Sequence, residues 1–312
     1  MHIPIRLNDI LLVLVVVASM ATAITFPDFG SRFRGLPFYC LMINFLLSYL
    51  SIDLASVGRV LKDHSARLFA FTAMKMAVLP AIIYLAFYSV APEYALSALL
   101  LTGVSAGVTA PLISNMVQGD SALVLVSVVI TSVLAPLTLP VLVKILMAKE
   151  VVVPFLPMLR QLAAVIFIPI FMVELIRYLL PRLVRPIQKI QFPVSLLMFA
   201  LIDLGVFYRY AHFFKKDFSV IIAATVVVFV LAAIYCVVGI LFFYKRPVED
   251  QLAGAVILGN MNNALVIVFS SDFFGPVEPL VAAMYTIPFF VIIIPLRYYY
   301  HRRMRTAQIQ AG

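Results

Sequence analysis

Ten long apolar runs, separated by short polar loops, dominate this sequence. The first lies at residues 10–27 and the last at 279–296, and each approaches or exceeds the roughly 20 residues that a helix needs to cross a bilayer. Only 12% of the 312 residues are charged, while 64% are hydrophobic, which is too little charge for a soluble domain. The sequence therefore predicts an all-α, multi-pass integral membrane protein with ten transmembrane helices, surrounded by a lipid bilayer.

The ten predicted spans divide into two groups of five. They lie at residues 10–27, 35–52, 68–92, 94–119, 121–143, 155–180, 190–208, 218–244, 251–271 and 279–296. A repeat with an odd number of spans places its second copy upside down, which is the arrangement of many secondary carriers. We therefore predict a first repeat at residues 1–150 and a second, inverted repeat at 151–312.

Lysine and arginine are distributed unevenly over the two sides of this topology. With both termini inside, fourteen of these cations fall on the inner side and eight on the outer side. Because cytoplasmic loops carry the excess of positive charge, we expect both termini to be cytoplasmic, in a bacterial inner membrane or an equivalent membrane. The net charge of +9 is spread over these short loops, so it indicates topology and no nucleic-acid partner.

A polar stretch interrupts the ninth run. Gly259 is followed by Asn260, Asn262 and Asn263, and amide side chains in hydrocarbon need partners, while glycine weakens a helix. Such an interruption is tolerated where it lines a cavity, and it often marks a transporter binding site. The alternative is that the asparagines only join helices. The fourth run has a matching break, with Gly103, Gly107 and the sequence Thr-Ala-Pro at residues 109–111.

Catalytic and metal-binding patterns are absent from the sequence. Cys40 and Cys236 lie within apolar runs, and the four histidines fall in loops or tails without the spacing of metal ligands. No nucleophile and base occur together. We therefore predict that the protein is not an enzyme and that it holds no metal ion and no cofactor.

Three segments resemble the bile acid:sodium symporter family. They are FLLSYLSIDLASVGRVLKDHSAR at residues 45–67, LLTGVSAGVTAPLISNMVQGDSALVLVSVVITSVLAPLTLP at 100–140, and GNMNNALV at 259–266. The resemblance implies a core domain of spans three to five and eight to ten, and a panel domain of spans one, two, six and seven. It also implies that spans four and nine are broken helices that cross near the middle of the bilayer. The substrate would bind beside that crossing, and one domain would move against the other.

The side chains that hold sodium in this family are missing here. Aligned by eye, the family's ligand positions fall on Lys75, Pro111, Leu112, Val124, Val128, Ile257 and Met261. Sodium needs oxygen ligands, and these side chains offer none. We therefore expect transport that does not depend on sodium. An ordinary sodium symporter, with sites rebuilt from backbone carbonyl groups, is the alternative.

Lys75 is the most informative of these replacements. It lies about eight residues into the third span, and an ionisable residue inside a span is a candidate functional site. Its ammonium group can stand permanently in place of the coupling cation. Alternatively, it can gain and lose a proton and so couple transport to a proton gradient, or it can extend to the membrane interface without any role in transport.

Two carboxylates lie in predicted panel spans. Glu174 and Arg177 are three residues apart, which suits an ion pair on one helix. Asp203 and Arg209 are six apart, so we expect Asp203 either to pair with Arg209 or to face the cavity and contact substrate or a proton.

Together these features predict a secondary carrier of a small organic anion. We expect the substrate near Thr109, Asn260, Asn262 and Asn263, with Lys75 and Asp203 as candidate charge or coupling groups. Amide groups and the ends of broken helices can bind a carboxylate or a sulfate. A membrane sensor that kept the fold without transporting anything is an alternative, although the sequence contains no soluble output domain.

Overall fold

The computed structural model describes residues 7–50, 67–147, 154–216 and 219–311, and the secondary structure there is helical. The helices are α1 (Leu7–Thr25), α2 (Pro27–Ser31), α3 (Pro37–Tyr49), α4 (Arg67–Val90), α5 (Ala95–Gly103), α6 (Ala110–Met116), α7 (Ser121–Met147), α8 (Phe155–Leu179), α9 (Pro181–Lys189), α10 (Gln191–Phe207), α11 (Ala211–Lys216), α12 (Ser219–Phe242), α13 (Val248–Gly259), α14 (Asn263–Phe273), α15 (Val277–Met284), α16 (Thr286–Val291) and α17 (Ile293–Ala311). Several earlier predictions fall on residues outside these ranges: the cations Arg6, Arg59, Lys62 and Lys149, and the repeat boundary at 150–151.

Six helical segments within the described ranges are long and apolar enough to cross a membrane. They are Arg67–Val90, Ser121–Met147, Phe155–Leu179, Gln191–Lys216, Ser219–Phe242 and Val277–Arg305, and α1, α3 and α14 supply shorter apolar helices. The prediction of an all-helical, multi-pass membrane protein is therefore confirmed. The ten-span count and the inverted repeat stay predictions.

Helix α4 contains a π-helical turn, Met74–Val78, directly before Leu79 and Pro80. Proline has no backbone N–H to donate and its ring crowds the preceding turn, so a wider turn is a natural way to accommodate it. Such turns are frequent at functional sites. The turn carries Lys75.

A very close contact between α12 and α13 holds the first half of the predicted ninth span. A methyl group added to Gly239 would lie 2.4 Å from the backbone nitrogen of Ala255, and one added to Gly254 would lie 2.5 Å from the carbonyl oxygen of Gly239. Only glycine permits backbones to approach so closely. This contact fixes α13, whose end at Gly259 begins the candidate site.

Candidate functional site

Two helix interruptions meet at the centre of the molecule. Residues 104–109 separate α5 from α6, and residues 260–262 separate α13 from α14. The backbone N–H of Gly107 donates to the Asn260 carbonyl at 2.6 Å, and that of Asn262 donates to the Ser105 carbonyl at 3.0 Å. Ala106 and Met261 form an antiparallel bridge between them. The backbone groups that the broken helices leave unpaired therefore bond to each other, as a low-dielectric environment requires.

The interruption in the fourth span begins earlier than the sequence suggested. We expected the break at residues 109–111, but helix α6 already begins at Ala110, with Pro111 in its first turn. Proline is well suited to this position because the first N–H groups of a helix have no partner within it. The non-helical backbone instead begins at Val104 and ends in a turn at Val108 and Thr109, and it contains Gly107.

Lys75 is fully buried, and its Nζ atom donates a 2.8 Å hydrogen bond to the carbonyl oxygen of Val104. Val104 is the residue that caps the C-terminal end of α5. The last carbonyl groups of a helix have no partner within it, and they carry the negative end of the helix dipole. The amine therefore binds where a cation is favoured, and it does not extend to the membrane interface.

The three asparagines of the ninth span have different roles. Asn260 is fully buried and donates through Nδ2 to the Phe289 carbonyl at 3.0 Å. Asn262 caps α14, since its Oδ1 accepts from the Leu265 N–H at 3.2 Å. Asn263 donates through Nδ2 to the Thr286 hydroxyl at 2.8 Å. All three side chains thus have partners within the protein that hold the second interruption in place.

A cavity of about 410 Å³ lies beside the crossing. Thr109, Asn262 and Asn263 line it, and Thr109 is exposed there. Asn260, Lys75 and Asp203 are not among the lining residues. The structure therefore brings three of the predicted site residues together at the cavity and places the other three behind its walls.

Most of the cavity wall is apolar, and Lys189 is the ionisable side chain among its lining residues. Residues that line it from α1, α3 and α10 face the crossing, and our site prediction missed Lys189, Gln191 and Ser195. Polar residues at the start of an otherwise apolar predicted span were a usable signal, since Gln191 and Ser195 lie four residues apart on one face of α10.

Asp203 does not pair with Arg209, so that prediction is wrong. Asp203 is fully buried, and its Oδ2 accepts a 3.0 Å hydrogen bond from the Ser19 hydroxyl on α1. Positions six apart on a helix lie about 240° apart around its axis, so the two side chains point different ways. The ion pair between residues three apart forms as predicted: the Nη1 atom of Arg177 lies 2.9 Å from the Oε1 atom of Glu174.

Arg209 instead belongs to a polar cluster at the other end of α10 from Lys189. The Nη1 atom of Arg209 lies 3.5 Å from one carboxylate oxygen of Asp272. The Nε2 atom of Gln161 donates a 2.7 Å hydrogen bond to the other carboxylate oxygen. Tyr210 donates to the Ser271 carbonyl at 3.2 Å. These contacts join the last turns of α14 to α8 and to the end of α10. The cavity extends toward the opposite end of α10, where the exposed residues Gln188 and Lys189 line it.

Four of the positions aligned with the family's sodium ligands hold buried apolar side chains. Val124, Val128 and Ile257 are fully buried, and Met261 is almost so. No cluster of three or more His, Cys, Asp or Glu side chains that could hold a metal ion occurs among the described residues.

No match was found among curated proteins. The sequence model of the sodium bile acid symporter family matches residues 9–216, which is more than half of the 312-residue chain. This match agrees with the long apolar helices of the structure. The chain therefore belongs to the sodium bile acid symporter family, whose members are membrane transporters and not enzymes.

Proposed function

We propose that the protein is a secondary carrier of a small amphipathic organic anion, and that it works without sodium. The observation that carries this proposal is the hydrogen bond from the Lys75 amine to the Val104 carbonyl, at the interruption where a coupling cation is otherwise expected. The amine at this carbonyl is part of the chain itself, so binding of a free cation is not needed to hold the crossing in shape. In the competing account, Lys75 carries a coupling proton.

The substrate's anionic group would bind at the first turn of α14. That turn begins at the cavity wall, with Asn262 as its cap, and the N-terminal end of a helix carries partial positive charge and N–H donors. The exposed Thr109 hydroxyl lies on the same wall. Asn260 has a supporting role, because its side chain is committed to the Phe289 carbonyl.

Transport would proceed by alternating access between core and panel domains. These would be arranged as two inverted five-helix repeats in a bacterial inner membrane or an equivalent membrane. The contacts of Asp272 with Arg209 and Gln161 would close the outer end of the cavity in this conformation. The end near Gln188 and Lys189 would be the cytoplasmic entrance, with both termini on that side.

Replacement of sodium by potassium should leave transport unchanged. We expect uptake of a bile acid such as taurocholate into proteoliposomes to differ by less than about twofold between the two salts, because the aligned ligand positions offer no side-chain oxygen. Loss of uptake in potassium would show that sodium is required. Stabilisation of the purified protein by sodium, measured by thermal unfolding, would support the rebuilt-site alternative.

Asp272→Asn should weaken the outer closure. The substitution removes the charge that Arg209 and Gln161 contact while keeping the side chain's size, and partly exposed pairs of this kind contribute modestly. A cysteine at Ser271, in a protein with Cys40 and Cys236 replaced by alanine, should react roughly threefold faster with an impermeant maleimide added outside. Asp28→Asn, in the exposed helix α2, is the matched control. Equal labelling in both variants would contradict a closing role for Asp272.

A further inference from the structure

Helix α9 connects two segments that are long and apolar enough to cross a membrane. Helix α8 precedes it and ends at Leu179, and α10 follows it from Gln191. The backbone departs from the helical conformation at Leu180, with φ −132° and ψ 50°, and again at Ile190, with φ −96° and ψ 3°. Because the ends of both spans lie at a bilayer surface, α9 must lie at that surface too.

All three cations of α9 lie on one face of the helix. At about 100° of rotation per residue, Arg182, Arg185 and Lys189 fall within about 60° of one another around the axis. Their side chains are exposed, and none of the ion pairs among the described residues includes them. The nearest carboxylate along the chain, Glu174, is already paired with Arg177. This face therefore carries positive charge that no described acidic side chain neutralises.

The opposite face of α9 is apolar. Val184 and Ile187 pack against the core of the protein, while Leu183 is exposed. Further exposed apolar side chains flank the helix at its two ends: Tyr178, Leu179, Leu180 and Ile190. A helix with a cationic face, an opposite apolar face and exposed apolar neighbours is typical of segments that lie in the membrane interface.

We propose that α9 is an interfacial helix whose cationic face binds the headgroup of an anionic phospholipid such as phosphatidylglycerol. Basic residues next to a membrane span attract anionic lipids, and the planar guanidinium groups of Arg182 and Arg185 can bind a phosphate through paired hydrogen bonds. The exposed Leu183 would contact the acyl chains. Lys189 also lines the cavity, so the bound headgroup lies beside the cavity's exposed end. Lipid binding at this face is independent of what the cavity carries.

The chain contains no tryptophan, which allows a direct test. Leu183→Trp places one fluorophore on the exposed apolar side of α9, and lipids with brominated acyl chains quench a tryptophan that they contact. In proteoliposomes, brominated phosphatidylcholine and brominated phosphatidylglycerol should both quench it, and mixtures give the relative association constant of the two lipids. We expect phosphatidylglycerol to bind at least about fivefold more tightly. This preference should fall below about twofold in roughly 1 M salt, which screens exposed charges.

Loss of the two arginines should remove the preference. In the Leu183→Trp protein, Arg182→Gln together with Arg185→Gln should lower the preference for phosphatidylglycerol to less than about twofold, with unchanged quenching by brominated phosphatidylcholine. Arg32→Gln together with Arg34→Gln is the matched control, because these two arginines are also exposed but lie between α2 and α3. This control removes the same charge and should leave the preference intact.

Four results would overturn the inference. Quenching by neither lipid would mean that α9 faces water, and equal quenching by both would mean that its cations do not select anionic headgroups. A preference that survives the loss of Arg182 and Arg185 would mean that the lipid binds elsewhere. An equal loss of preference in the control would reduce the effect to net charge. Leu180→Trp, at another exposed apolar position, repeats each comparison if the Leu183→Trp protein does not fold.

Discussion

Lys75→Gln is expected to reduce transport by about tenfold or more, and sodium is expected not to restore it. The substitution removes the amine that bonds to the Val104 carbonyl, so the C-terminal end of α5 loses its cation at the crossing. Glutamine supplies one neutral oxygen, but Val124, Val128 and Ile257 still offer none, and a sodium ion needs several. Uptake into proteoliposomes in sodium and in potassium is the measurement.

The stability of the same variant separates a functional role from a structural one. A buried ammonium group loses its hydration, so a neutral replacement need not destabilise the fold. We therefore expect the thermal unfolding midpoint of Lys75→Gln to stay close to that of the wild type while transport is lost. Lys144→Gln, at an exposed lysine of α7, is the control and should be active.

Three results would contradict this account of Lys75. Unchanged transport at every pH would mean that the amine has no part in the mechanism. Recovery of transport in sodium would mean that a cation site can still form at the crossing. Proton movement coupled to substrate in the wild type, absent in Lys75→Gln, would favour Lys75 as a proton carrier over Lys75 as a fixed charge.

Gly107→Ala is expected to destabilise the protein by about 1–3 kcal/mol, the usual cost of forcing an extra methyl group into a packed interior, and to abolish transport. A methyl group at residue 107 would lie 2.9 Å from the Met261 carbonyl oxygen and 3.0 Å from that of Asn260. Both contacts are with backbone, which cannot rotate away. The two interruptions must separate, and the hydrogen bond from Gly107 to Asn260 is then weakened.

Gly35→Ala is the matched control for this prediction. A methyl group there would meet no atom within 4 Å, so we expect a change in unfolding free energy of less than about 0.5 kcal/mol. Thermal unfolding in detergent and taurocholate uptake should be measured for both variants. Equal unfolding midpoints and equal uptake in the two would show that the close crossing is not required.

The positions of the interruptions were largely predictable from local sequence. Glycine and asparagine disfavour helix wherever they stand, so the break after Gly259 is where we expected it. The break in the fourth span was misplaced by a few residues, because proline at residue 111 looks like a helix breaker but is favourable in the first turn of the helix that follows. Only the cap geometry distinguishes these two uses of proline.

The roles of the polar side chains were much less predictable. Asn260, Asn262 and Asn263 are neighbours in sequence, yet Asn260 lies behind the cavity wall while Asn262 and Asn263 line it. Asp203 bonds to Ser19, which is 184 positions away, and Lys75 bonds to the carbonyl group of Val104 at the end of another helix. Such partners depend on the rotation and packing of helices that are far apart in the chain.

Local sequence was enough to identify a helical membrane protein of the bile acid symporter type, with an ionisable side chain inside the apolar helix α4. Those properties follow from the apolar character and the helical periodicity of consecutive residues, and both are local features of the sequence. The contact of Lys75 with the end of a broken helix, and the support that Asn260 gives to the crossing, became evident only from the packing of the helices. Each of these outcomes depends on which groups from distant helices come within hydrogen-bonding distance, and that distance is set by packing.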